Sequence, residues 1–293
     1  MNRESKQKTW LTLFDPEYSS DLFLYHYTSF KNACKILYSN SLKFSSLSNT
    51  NDTNESKAKI IAKEIRDKNI IKDAVLSFER INKSRMRLLC FSQDNSDEKE
   101  KHLLKMSTNC FDDYTGRGFA LPRMWAQYAN NHSGVCFIID TDKLNHVITR
   151  NRTLLPKIII RDRVKYTNHF AAFEIKHSEL EYVQRLFSSN DSILHYDYLK
   201  NTPSFLEYNY FQKNIDWQQE NEYRILAYST DELYLNGFSE YCVGMVVGEM
   251  TDECEMKILN SLTDNRFLIY QIKFELGECR LKKIDFRGFD QYA

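Results

Sequence analysis

Glycine and proline are scarce in this chain. Its 293 residues hold 8 glycines and 4 prolines, where average usage would supply roughly 20 and roughly 15. That scarcity excludes collagen-like and Gly/Pro-rich disordered chains. It also removes the glycine loops that cradle phosphates: Gly116 and Gly118 are the closest pair, and neither G-x-G-x-x-G nor G-x-x-x-x-G-K-[ST] can be written anywhere. Net charge is lacking too. Lys plus Arg and Asp plus Glu are 40 each, which excludes a polyanion binder working through bulk charge; any nucleic-acid contact has to be a local patch. No C-x-x-C occurs among the seven cysteines, Cys34, Cys90, Cys110, Cys136, Cys242, Cys254 and Cys279. Met1 to Trp10 is polar, and no apolar run of membrane-spanning length exists. The expectation is a cytoplasmic protein with reduced, mostly buried thiols and no membrane partner.

Aromatic residues, by contrast, are plentiful: 18 Tyr and 19 Phe supply material for a core and for stacking. Leu22 to Tyr27 reads as a strand. Thr28 or Ser29 can cap the following helix, whose Phe30, Ala33, Cys34, Leu37 and Tyr38 share one apolar face. Ser48 to Asn54 has turn chemistry, and a charged helix is expected from about Glu55 with Ile61, Ile65, Ile71, Val75 and Phe78 inward. Further strands are expected at Leu88–Phe91, Val135–Asp140, Ile158–Tyr166, Glu222–Tyr228, Val243–Val247, Phe267–Phe274 and Arg280–Phe286. Pro122 suits a helix first turn, and Met124, Trp125, Tyr128 and Ala129 recur at helical spacing. Strands that alternate irregularly with helices indicate an α+β protein rather than a doubly wound sheet. No repeat and no linker divides the chain, so residues 1–293 read as one domain with insertions near 93–121 and 170–215.

Three pieces carry candidate chemistry. The first is Tyr25-His26-Tyr27-Thr28-Ser29, a histidine at a strand end within an aromatic wall. The second joins Cys90-Phe91-Ser92 to a helix bearing Trp125 and Tyr128, whose stacked rings would suit a flat ligand; His132 beside Ser133-Gly134 reads as a helix C-terminal cap. The third is Glu220-Asn221-Glu222-Tyr223-Arg224. On an extended chain Glu220, Glu222 and Arg224 face one way, so that Arg224 holds a glutamate ionised. The bland reading of each is a satisfied histidine, core packing and an exposed ion pair worth little.

Taken in order, these pieces resemble the bacterial domain-of-unknown-function family numbered 2971. The matching residues are Tyr25–Thr28, Asn49 with Asp52, Trp125–Gly134 and Glu222–Arg224, over roughly residues 22–275; Thr53 stands where that family's loop continues with proline. The set is also similar to the His-Tyr-Glu branch of the ADP-ribosyltransferase superfamily, through His26-Tyr27-Thr28, Phe91-Ser92 with Tyr128, and Asn221-Glu222-Tyr223. That resemblance implies two small, mainly antiparallel sheets forming a split core flanked by helices. It further implies NAD as substrate, with Glu222, Glu220 and His26 catalytic and with His26, Tyr27, Thr28, Ser92, Trp125, Tyr128 and Arg224 binding the dinucleotide. No metal is implied. A toxin or phage-defence effector is, with an RNA or DNA acceptor and an antitoxin protein as partner.

The chemistry suits those residue types. Cleaving the nicotinamide–ribose bond passes through an oxocarbenium-like state, which a carboxylate stabilises more than it does neutral ribose. Basic and aromatic residues interleave at Arg80–Arg87 and from Arg150 to Lys165, Tyr166 and Phe170, as phosphate-tracking surfaces do. Two other classes fit the same residues: a magnesium-dependent nuclease using Asp52, Glu55, Glu220 and Glu222, and a non-catalytic sensor of a nucleotide or partner.

Overall fold

A computed structural model describes residues 22–47, 57–61, 68–95, 114, 116–154, 157–176, 179–189, 191–264, 266 and 269–284. The chain is α+β, but its centre is one mixed nine-stranded sheet with three two-stranded ribbons beside it. The order is β15 (Glu278–Lys283), β14 (Ile269–Glu275), β13 (Cys242–Val247), β6 (Val135–Asp140), β1 (Phe23–Thr28), β5 (Met86–Ser92), β11 (Glu222–Tyr228) and β7 (Ile158–Arg163). The ninth strand, β3 (Ser45–Ser46), pairs with β5 at Ser45↔Leu88. The expectation of two small sheets is therefore corrected. The physical reason is a single residue pair. β1 is laddered to β6 at every residue, and β11 to β5 likewise, yet β1 meets β5 only at Tyr25↔Ser92. That pair joins two well-ladderd halves into one sheet, and beyond it the strands diverge.

Alternation of side chains along the strands sorts the core. Leu24, Leu89, Phe91, Phe137, Ile139 and Ile225 point to one face. There they are covered by α1 (Phe30–Ser39), α4 (Thr141–Arg150), α8 (Phe238–Tyr241) and α9 (Glu253–Thr263). On the opposite face are two separate clusters. One gathers Tyr25, Tyr27, Cys136, Ile138 and Val246 under α3 (Pro122–Tyr128). The other gathers Leu88, Leu226 and Tyr228 under α2 (Lys68–Arg85), α5 (Leu180–Ser188), α6 (Ser192–Asn201) and α7 (Pro203–Tyr210). The polar site occupies the interval between these two clusters.

Several local expectations change. Ser29, not Thr28, caps α1: its Oγ accepts the Asn32 N–H, and left-handed Asn40 closes the other end. The helix expected from Glu55 starts at Lys68. Ile61 instead belongs to a short strand, β4 (Ile60–Ile61), parallel to β9 (Phe173–Glu174), and is exposed. Ile158–Tyr166 is two strands broken at Val164, because β8 (Lys165–Thr167) leaves the sheet to pair with β10 (Gln212–Asn214). The 93–121 segment is no simple loop where it is described: Asp94 and Arg117 form a buried ion pair, and Phe119 is in the core. Asn49, Asp52, Thr53, Glu55, Ile65 and Cys110 lie outside the described residues. Among the described residues no helix is long and apolar enough to cross a membrane.

Candidate active site in the split of the sheet

Where β1 and β5 part, a cavity of about 990 Å³ opens. It is lined by His26 and Thr28 from β1, Cys90 and Ser92 from β5, and Glu222 and Arg224 from β11, with Tyr128, Lys213 and Glu220 across from them. At the divergence a side chain replaces the lost ladder: His26 Nδ1 lies 3.2 Å from the Cys90 carbonyl oxygen. A carbonyl only accepts, so Nδ1 carries the proton and Nε2 is left as an acceptor. Burial lowers the His26 pKa, against a smaller opposing effect of the Cys90 bond, and keeps the ring neutral at pH 7.

Register fixes the opposite wall. Tyr25 faces Ser92, and Ser92 faces Glu222, so Glu222 projects to the Tyr25 face of the sheet, whereas His26 alternates to the other face and packs edge-on against Phe91. Glu222 is 6% exposed and Arg224 1%. The guanidinium grips the carboxylate with a fork, Nε to Oε1 at 2.7 Å and Nη2 to Oε2 at 2.8 Å, and Nη1 donates to the Tyr210 carbonyl at 2.7 Å. The expected same-face geometry is present for Glu222 and Arg224 but not for Glu220, and the pair is buried rather than at an exposed edge. Lys213 adds a second cation, 2.9 Å from Glu222 Oε2 and 2.6 Å from Glu220 Oε2. Burial pushes the Glu222 carboxyl upward, but Arg224, then Lys213, outweigh it and bring it down to about 2.

Glu220 reaches the cluster by an unexpected route. It is the last residue of a 3₁₀ helix, Ile215–Glu220, not part of a strand. Asn221 then turns left-handed (φ 42°, ψ 56°) and restarts the chain as β11. A clamp holds that turn: Asn221 Nδ2 donates to the Gln93 and Asp94 carbonyls at 3.2 and 2.7 Å, and the Asn221 carbonyl accepts the Gln93 N–H at 2.9 Å. The Asp94 carboxylate in turn takes the Gly118 N–H at 2.7 Å and Arg117 Nη1 at 3.1 Å. Gly118 is required there, because a Cβ would stand 2.2 Å from the Tyr25 ring. The Tyr27 hydroxyl donates to the Gly118 carbonyl at 2.7 Å. A continuous set of bonds thus ties the histidine strand to the glutamate turn.

The remaining expected residues divide. Tyr128 lines the cavity, and its hydroxyl donates to Glu220 Oε1 at 2.7 Å; burial first, then Glu220, raise its pKa far above the ordinary value. Ser92 is 1% exposed, and its Oγ has no hydrogen-bond partner among the described residues. Thr28 borders the cavity at the end of β1, and Tyr27 borders it while its ring is packed away. Trp125 is corrected. It is fully buried, edge-on to Tyr27 with centroids 5.2 Å apart, donates Nε1–H to the Phe119 carbonyl, and contributes nothing to the cavity wall. α3 turns its two aromatic rings apart, one into the core and one toward the carboxylates. His132 belongs to a left-handed turn, Asn130 to His132, and its carbonyl accepts the Met250 N–H.

Sequence reasoning missed Lys213, Tyr166 and Asn221. Tyr166 accepts the Glu222 N–H at 2.9 Å. No periodicity pointed to Lys213, since only the short β10–3₁₀ turn folds it onto Glu220. Asn221 had a signal: asparagine tolerates the left-handed conformation, so Glu-Asn-Glu can be a turn.

Fold and site together define an α+β protein with a buried, formally neutral quartet of charges lining a cleft in its sheet. Residues 124–225 match a family model described as "Protein of unknown function (DUF2971)". The match contains Tyr128, Lys213, Glu220, Glu222 and Arg224 and leaves His26 and Ser92 outside, short of the 22–275 range over which the resemblance was read. No curated protein and no solved structure matches the chain, so similarity supports no relationship to ADP-ribosyltransferases.

Proposed function

We propose that this cleft cleaves the nicotinamide–ribose bond of NAD and transfers ADP-ribose to an acceptor, as a toxin or phage-defence effector would under the restraint of an antitoxin protein. One observation carries the reading. Glu222, ionised down to a pH of about 2, and His26 both line the cavity at the split, Glu222 from the Tyr25 face of the sheet and His26 from the Phe91 face. The C1′–N bond breaks, its electron pair leaves with neutral nicotinamide, and positive charge develops on the ribose. Glu222 stabilises that charge, and Arg224 and Lys213 keep it ionised. His26 Nε2 accepts a ribose hydroxyl hydrogen. Tyr128 offers a ring to nicotinamide, and the Ser92 hydroxyl supplies a hydrogen bond that no described residue takes. An acceptor hydroxyl then attacks C1′, forming the new C–O bond, and its proton passes to Glu220.

The volume suits a dinucleotide. A metal-dependent nuclease is less well supported, because the Lys213 ammonium already sits where a cation shared by Glu220 and Glu222 would lie. The test is nicotinamide release from labelled NAD in whole-cell extract, followed by protease or nuclease to locate the label. Glu222→Gln and, separately, His26→Ala are expected to lower release by about 100-fold or more with far-UV circular dichroism unchanged. A wild-type protein that releases no nicotinamide and labels nothing ends the proposal, and activity abolished by chelator but indifferent to NAD moves it to the nuclease.

A further inference from the structure

The cavity continues past the carboxylates into an outer arm beside α1, β2 (Ser41–Lys43) and β12 (Tyr234–Asn236). The inner charges cancel, Lys213 and Arg224 against Glu220 and Glu222. In the outer arm the lining cations are Lys35, Lys43 and Arg87, and the lining carboxylate is Glu232. Among the described lining residues, three cations against one anion leave an excess of two positive charges, in a chain whose formal total is zero. Glu232 is already engaged by Lys43 and by the Tyr234 hydroxyl. Arg87 donates to main-chain carbonyls, those of Asp231 at 3.3 Å and Met86 at 3.1 Å, and shares the single Glu232 carboxylate with Lys43. Lys35 has no ion-pair partner among the described residues. α1 also begins beside this cavity with no acidic residue in its first turn, so its dipole adds to the positive potential.

Two aromatic faces accompany these cations. Tyr38 lines the cavity and is 87% exposed, and Tyr234 is 39% exposed with the Lys43 ammonium 5.6 Å from its ring centroid. Cations follow a phosphate backbone and exposed rings stack bases, while an acidic peptide needs only the first. The outer arm is one part of a cavity of about 990 Å³ in all, room for a short stretch of one strand and not for a duplex. The other basic stretch differs: Arg150 is spent on Glu240 and Lys165 on Glu207, and neither lines the cavity.

We propose that the outer arm binds single-stranded nucleic acid, with phosphates on Lys35 and Arg87 and bases on Tyr38 and Tyr234, and presents a nucleotide to the inner carboxylates. Its role as acceptor rests on the ADP-ribosyl-transfer reading; the binding does not. The test is fluorescence anisotropy of the full chain with labelled RNA and DNA strands of about 12 nucleotides, their duplexes and a polyglutamate peptide, over a series of salt concentrations. Strands of RNA, DNA or both are expected to bind, and the tighter of the two names the natural ligand. Lys35→Gln and Arg87→Gln each reduce the log–log salt slope by about 0.7, and Tyr38→Ala weakens binding about tenfold. Lys35 and Tyr38 are exposed, so their variants keep the fold. Absence of strand binding, equal binding of duplex or polyglutamate, or strand affinity unchanged in all three variants overturns the proposal. Strand binding without nicotinamide release sustains it and removes the enzymatic reading; nicotinamide release without strand binding does the reverse.

Discussion

Replacing Lys213 with methionine removes one charge from the quartet while keeping the stem that fills the site. The ammonium lies 2.6 Å from Glu220 Oε2 and 2.9 Å from Glu222 Oε2, so those oxygens are within about 5.5 Å of each other. Two unit charges at that separation repel by about 3 kcal/mol at an effective dielectric constant near 20. With the cation gone, protonating one carboxyl relieves the repulsion, so one apparent pKa of the pair rises by about 2 units. In the wild type, Glu222 is held at about 2, below the ordinary unfolded value of about 4.3. Its contribution to stability is complete above that unfolded value and is lost as pH falls through the folded one. In Lys213→Met a rise of about 2 units brings Glu222 to about 4, so the variant's deficit is full at high pH and narrows as pH falls below that value. Urea unfolding followed by intrinsic fluorescence is expected to show a deficit of about 3–5 kcal/mol at pH near 8, narrowing by about 1 kcal/mol or more at pH near 3. A deficit below about 1 kcal/mol at the higher pH, or one that does not change with pH, would falsify the buried-quartet reasoning.

Asn221→Ala loses two side-chain hydrogen bonds and puts a residue that tolerates the left-handed conformation less well than asparagine at that turn, at a cost of about 2–4 kcal/mol. Asn221→Gly keeps the conformation and is expected to lose about half as much in thermal denaturation; equal losses show that the left-handed turn is not the cause. His195 is buried between α6, α5 and β11, where Nδ1 lies 2.8 Å from Arg85 Nη1 and Nε2–H donates to the Leu186 carbonyl. Burial, then Arg85 after the opposing Leu186 bond, lower its pKa, with Asp191 opposing. Its contribution to stability is therefore present above the unfolded value of about 6.5 and lost as pH falls below it. The slope of stability with pH between about 7 and about 5 should be shallower in His195→Gln, and an unchanged slope assigns the titration to His26, whose pKa is shifted the same way.

Much of the local structure was legible because it depends on periods and caps that neighbouring residues supply. The apolar face of α1, Pro122 at the start of α3, and the strands at Val135–Asp140 and Glu222–Tyr228 are read from spacing alone. The Glu222–Arg224 pairing was legible for the same reason, since a period of two places both side chains on one face. Its burial was not. An isolated strand cannot reveal that α7 and its Tyr210 carbonyl will cover one side of the guanidinium. Trp125 and Tyr128 show the opposite failure: helical spacing brings them close, yet the directions of their side chains depend on what each finds to pack against.

By itself, then, the chain order of apolar, polar and turn-forming residues determined many of the helices and strands, α1, α3 and the strands at Val135–Asp140 and Glu222–Tyr228 among them, and the shared face of Glu222 and Arg224. Only the tertiary structure decided that Tyr25 and Ser92 would fuse two ladders into one sheet while leaving the cleft beyond them open. It alone brought Lys213 between the two carboxylates, and set Lys35, Lys43 and Arg87 around an outer arm. The physical reason is range. Periodicity and capping act over a few residues, whereas strand edges separated by tens of residues are joined by burial and hydrogen bonding summed over the whole sheet, which no single segment contains.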